Sequence, residues 1–176
     1  MQRLARGMQA RAVSAATFDF PYMAAKRKVP DRAPVLEACW RDAVEAAREA
    51  FGDLPLFIGG KSMGGRMASH IAAQDVPAVT GLILLGYPLH APGRPDQRRD
   101  AHLPNIEIPT LFVQGSRDTF GTADDIRALL PSMRRATLHE VPGGDHSFKV
   151  PGGASAQQAA MDAVMDVVAG WMGEQA

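Results

Sequence analysis

Three residue types that together perform nucleophilic acyl chemistry recur at separated points of this chain. Gly60-Lys61-Ser62-Met63-Gly64 is a G-x-S-x-G sequence lying between an apolar run and a helical one. A serine at that spacing suits a sharp strand-to-helix turn, with Gly60 and Gly64 letting strand and helix approach closely. The turn lifts the Ser62 hydroxyl to a helix N-terminus, where the backbone N–H of Met63 can help hold an oxyanion. A phosphate-binding loop is the competing reading of Gly59-Gly60-Lys61-Ser62. It would need glycine at position 55, where Pro55 stands, and positions 56–58 are Leu-Phe-Ile, strand residues rather than a cradle.

A serine nucleophile needs a base and an acid to orient it. The five histidines are His70, His90, His102, His139 and His146. His70 falls in the helix after Ser62 and His139 within a strand, both structural placements. His90 and His102 read as solvated loop residues that could line a cleft. His146 follows the last strand in Val141-Pro142-Gly143-Gly144-Asp145-His146, a loop flexible enough to bring an imidazole over the serine, and is the expected base. Asp118, three residues past Gly115 at the end of a strand, is the expected acid, with a turn aspartate as the alternative. Asp145 is too close in sequence to His146 to orient its ring. Asp124 and Asp125 fit the first turn of a helix, where carboxylates favour the dipole.

Those positions demand a particular set of elements. Residues 1–11 read as the tail of a helix with Leu4, Met8 and Ala12 on one face, 13–18 as a strand and 23–33 as a basic solvated loop. Residues 34–51 repeat Leu36, Trp40, Ala43/Val44, Ala47 and Phe51 at helical spacing and stop at Gly52. Strands are expected at 55–59, 79–86, 109–115 and 136–141. Helices are expected at 63–74, at 122–130 with Thr122 as N-cap, and at 155–172. Fully apolar strands alternating with helices specify an α/β fold: a mostly parallel sheet covered on both faces, with function at the carboxyl ends of its strands. The polar segment 87–108 is too short for a cap domain, so the expected site is open and shallow.

Composition limits the alternatives. The 176 residues, 46% hydrophobic and 22% charged, suit a single domain spanning 1–176. Lys+Arg and Asp+Glu are 19 each, so the chain has no net charge to draw it to nucleic acid or an anionic membrane, despite the basic run at 26–32. Cys39, the single cysteine, fits the core face of a helix and excludes an internal disulfide. No apolar run is long enough to span a membrane. Arg3, Arg6 and Arg11 precede any acid and could mimic a transit peptide, yet no secretory segment is present, so a cytoplasmic protein is expected. Neither a cofactor nor a metal is called for.

The order Ser62, Asp118, His146 resembles that of the alpha/beta-hydrolase superfamily. More narrowly, GGKSMGGRMAS, GYPLHAPGRP, LFVQGSRDTFG and GGDHSF, spread over about residues 16–150, resemble a small dienelactone-hydrolase-like branch. The resemblance implies nucleophile, acid and base at Ser62, Asp118 and His146. Dienelactone hydrolases use cysteine as nucleophile, so their substrate is not implied by Ser62.

The resemblance also implies strands and a His-Gly-rich oxyanion loop ahead of the first helix, neither of which precedes Ser62 here. An N-terminally truncated chain is therefore expected, lacking the strand between 13–18 and 55–59. The neighbouring strand edges would then be unpaired or forced together. The expected activity is hydrolysis of a small ester, thioester or lactone. Its rival is a catalytically weak or inactive scaffold of the same fold. Arg94, Arg98 and Arg99 could meet an anionic substrate or be solvated, and Lys61 could enter the site or pair structurally.

Overall fold

The computed structural model describes residues 2–74 and 79–176. Four parallel strands, β1 (Phe57–Lys61), β2 (Gly81–Leu85), β3 (Thr110–Gly115) and β4 (Ala136–Val141), lie side by side in chain order. Helices α1 (Gln2–Gln9), α2 (Pro21–Ala24), α3 (Ala33–Phe51), α4 (Met63–Ala72), α5 (Ala123–Arg127) and α6 (Gly153–Gln175) complete the chain. Side chains alternate across a strand, and β2 shows the result. Leu82 and Leu84 join Leu36, Trp40, Met67 and Ile71 on the α3–α4 face, while Ile83 and Leu85 join Val164, Val168 and Trp171 on the α1–α6 face. The parallel sheet expected from the sequence, with helices on both faces, is the observed one.

Element boundaries move for local reasons. Pro55 cannot donate to a ladder, and β1 starts at Phe57 and runs through Lys61 to the edge of the serine. Pro131 ends the helix expected over 122–130: α5 stops at Arg127 and a 3-10 turn spans Leu130–Ser132. The basic loop is preceded by the single helical turn of α2, started by Pro21. Phe51, the last of the helically spaced apolar positions of α3, is half exposed. Met1 lies outside the described residues.

Residues 13–18 form no strand, contrary to expectation. Strand pairing needs a partner backbone about 4.8 Å away. Here a cavity of about 290 Å³ lies between the segment and the outer edge of β1, lined also by α1, α3 and α6. Among the described residues that edge of β1 has no strand partner. Of the two outcomes anticipated for the flanking edges, they stand apart rather than being forced together. Phe18 anchors the segment instead, edge-on to Phe20 and Trp40.

Segment 87–108 is less polar in place than in sequence. Tyr87, Leu89, Leu103 and Ile106 are all 1% exposed, so both ends of the segment are pinned to the α4 face, while residues 92–98 between them are exposed. No helix among the described residues is long and apolar enough to cross a membrane.

Candidate active site

Ser62 sits between β1 and α4 with φ 53° and ψ −123°, a backbone region that a side chain occupies only under strain. The strain is held in place from both sides. The Ser62 N–H donates to the Leu85 carbonyl at 2.9 Å, and the Ser62 carbonyl accepts the N–H of Arg66 at 3.0 Å. Met63 is the first residue of α4, where an N–H has no acceptor within its own helix.

The glycines share the work differently from the sequence reading. A Cβ on Gly65 would lie 2.5 Å from the Gly60 carbonyl oxygen, whereas one on Gly64 would meet nothing within 4 Å. Close approach of strand and helix therefore rests on Gly60 and Gly65, and Gly64 is not needed for it.

His146 lies over the serine. Its Nε2 is 2.9 Å from Ser62 Oγ, and its Nδ1 is 2.8 Å from Asp118 Oδ2. An ionised Asp118 can only accept, so the proton sits on Nδ1 and the lone pair of a neutral ring faces the serine hydroxyl. The Phe120 ring lies against the imidazole, centroids 4.2 Å apart. Asp118 is 1% exposed and fully engaged: Oδ1 accepts the Phe120 N–H at 2.8 Å, and Oδ2 also accepts Gln114 Nε2 at 3.0 Å.

Gln114 escaped the sequence reading. It is completely buried, with its Oε1 accepting the Tyr87 N–H at 2.7 Å and its Nε2 donating to the Gly121 carbonyl at 2.7 Å. A lone amide in the apolar strand PTLFVQG was the available signal.

Backbone-to-backbone packing positions the histidine loop. A Cβ on Gly115 would lie 2.3 Å from the Gly144 carbonyl oxygen, and Gly86, at φ +60°, abuts the carbonyl and ring of His146. Asp145 Oδ1 accepts the N–H groups of Ser147 (2.7 Å) and Lys149 (2.9 Å), which tightens the turn around His146. Burial opposes ionisation of Asp145, yet those two N–H groups hold its carboxyl below the usual range. Lys61 turns to the same loop, its Nζ donating to Ser147 Oγ at 3.3 Å.

The remaining histidines lie elsewhere. His70 meets Glu37 at 2.9 Å, and burial lowers the pKa of His139 in β4. His90 bonds the neighbouring Ala91 carbonyl. His102 is not solvated: its Nε2 is 2.7 Å from Ser69 Oγ, and burial, helped by the charges of His70 and Arg66, lowers it to about 4. Ser69 is fully buried and its hydroxyl donates to the Arg66 carbonyl at 2.7 Å, so this second serine–histidine pair offers no accessible nucleophile. Thr122 caps α5 as expected, in a reciprocal box with Asp125, whose carboxyl is lowered by the Thr122 N–H and hydroxyl. Cys39 is half-buried against the core.

The family model of the alpha/beta hydrolase domain matches residues 1–173. The chain belongs to the alpha/beta hydrolase family. Solved structures share its fold. Dienelactone hydrolase from Anabaena variabilis superposes with a TM-score of 0.72 at 21% identity, over 99% of this chain and 78% of that one. A protein of unknown function from Agrobacterium tumefaciens gives 0.73 at 15% identity, over 97% and 74%. The esterase domain of a Rhodothermus marinus protein gives 0.67 at 15%, over 97% and 78%.

Proposed function

We propose that this alpha/beta hydrolase cleaves a small ester, thioester or lactone with Ser62 as nucleophile, His146 as general base and Asp118 as the acid that orients it. The observation that carries the reading is the unbroken chain from Ser62 Oγ through His146 to the buried Asp118, at 2.9 and 2.8 Å. His146 Nε2 takes the hydroxyl proton as Ser62 Oγ attacks the acyl carbonyl, and returns it to the leaving oxygen or sulfur. Asp118 holds the Nδ1–H tautomer and stabilises the imidazolium. The Met63 N–H stabilises the oxyanion, and water attacks the acyl-enzyme by the same proton route in reverse.

A second reading, a weakly active or inactive scaffold of the same fold, draws on the elbow itself. Met63 is the one oxyanion donor this reading identifies among the described residues, and a site short of one donor runs about 10²–10³ slower. A fluorophosphonate probe separates the two. Covalent labelling of the folded protein at Ser62, abolished in Ser62→Ala, is expected for the hydrolase. A folded protein whose Ser62 never reacts would exclude it.

A further inference from the structure

Phe120 is an aromatic residue without a place in the core. Tyr87 and Phe112 meet edge to face within the cluster on the α3–α4 face, whereas Phe120 belongs to neither apolar cluster and is partly exposed. Its ring lies on the imidazole of His146 instead, with centroids 4.2 Å apart and planes 31° from parallel. Rings so close and so nearly parallel meet face to face.

Backbone contacts put the ring there. The Phe120 N–H donates to Asp118 Oδ1 at 2.8 Å, and its carbonyl accepts the His90 N–H at 3.0 Å. At the next residue, Gly121 with φ +135°, a Cβ would lie 2.8 Å from Leu89 Cβ, so the turn is pressed against segment 87–108. One carboxylate therefore sets two sides of the base. Oδ2 of Asp118 holds the Nδ1 edge of His146, and Oδ1 holds the residue that covers its face.

The face of a benzene ring is electron-rich and attracts a cation placed over it. A neutral imidazole gains little from such a face and an imidazolium gains more. In the acyl mechanism His146 is charged only while it carries the proton taken from Ser62 or from the attacking water. The attraction is then larger in the transition states than in the resting enzyme, which is the condition for lowering a barrier. The elements around His146 bring few other charges. Asp118 follows β3, Lys61 ends β1 and reaches Ser147, and Asp145 and Lys149 belong to the histidine loop itself, while Ser62 and Gly86 are uncharged. We propose that Phe120 is a positioning residue whose ring face stabilises the His146 imidazolium alongside Asp118. This rests on the proposed hydrolase reading and adds a residue to its machinery.

The test changes the charge on the ring face while keeping its shape. Difluoro- and pentafluorophenylalanine are incorporated at position 120, beside Phe120→Leu and Phe120→Tyr. The C2 proton of His146, assigned by its loss in His146→Gln, reports by NMR the pH at which the ring takes up its proton. That midpoint should fall stepwise with fluorination, and by about half a pH unit in Phe120→Leu. With 4-nitrophenyl acetate, kcat should fall in the same order, about two- to fivefold for Phe120→Leu, with KM little changed and the acid limb of the pH profile moved to lower pH. Phe120→Tyr, which keeps the electron-rich face, should recover most of what Phe120→Leu loses. A ring that only packs would be indifferent to fluorination. A midpoint unmoved by fluorine overturns the inference, as does unchanged kcat in a protein whose Ser62 labels. The NMR titration needs no turnover: a midpoint that moves in a protein whose Ser62 never labels supports the hold of the ring on the imidazolium and overturns the hydrolase reading alone.

Discussion

Gln114 and His146 meet on a single atom of Asp118: Oδ2 accepts the amide of one at 3.0 Å and the imidazole of the other at 2.8 Å. The carboxylate is therefore aimed from below by a residue that never approaches the serine. Gln114→Leu keeps the volume but removes the acceptor for the buried Tyr87 N–H and a donor to Asp118. Unmet buried groups cost about 1–3 kcal/mol each. The variant should unfold at lower denaturant and lose kcat with KM little changed. Retention of wild-type kcat would show that Asp118 needs no such support.

Asp118→Asn should preserve the fold and lose about 10⁴ in kcat, because the amide favours the wrong imidazole tautomer. Fluorophosphonate labelling of Ser62 should slow in parallel. Labelling at the wild-type rate would remove Asp118 from the mechanism.

Gly64 and Gly65 make opposite predictions although they are adjacent. Gly65→Ala forces a Cβ onto the Gly60 carbonyl oxygen at 2.5 Å, backbone that cannot move aside. It should cost about 3 kcal/mol, as overpacking does. Gly64→Ala enters open space inside a helix and should gain about 0.5–1 kcal/mol in place of a flexible residue. Urea melts of the two variants give both signs.

His102 sets an acid limit to stability. Its folded pKa is depressed to about 4 from an ordinary 6.5, by burial first and then by the charges of His70 and Arg66. Below pH 6.5 the unfolded chain binds the proton more readily, so stability declines as pH falls from about 6.5 toward 4 and is unaffected above. His102→Gln, which keeps a donor for Ser69 Oγ, should flatten the Tm-against-pH curve in that window. An unchanged slope would assign the acid sensitivity to other groups.

What the sequence disclosed was whatever depends on short-range pattern. The apolar strands, the faces of α3 and α6, the Thr122 cap and the strand-end placement of Ser62, Asp118 and His146 all follow from local periodicity and turn chemistry. What escaped depends on contacts between distant segments. Segment 13–18 has strand-like residues but no neighbour within pairing distance. Gln114 looks like a stray polar residue until Tyr87, Asp118 and Gly121 converge on it. The choice of Gly65 over Gly64 is set by one carbonyl oxygen of β1.

The sheet divides the three residues unequally. Asp118 and His146 leave the ends of β3 and β4, paired in register to Gly115 and Val141, and backbone contact between Gly115 and Gly144 locks the two loops together. Ser62 leaves β1, two ladders away across β2, on the strand whose other flank borders the cavity. Acid and base thus follow strands that pair directly, and the serine follows a separate strand at the border of the cavity. Gentle heating or dilute denaturant should misalign Ser62 before it disturbs the Asp118–His146 pair, so the machine fails first by slipping out of gear, with its base still correctly set.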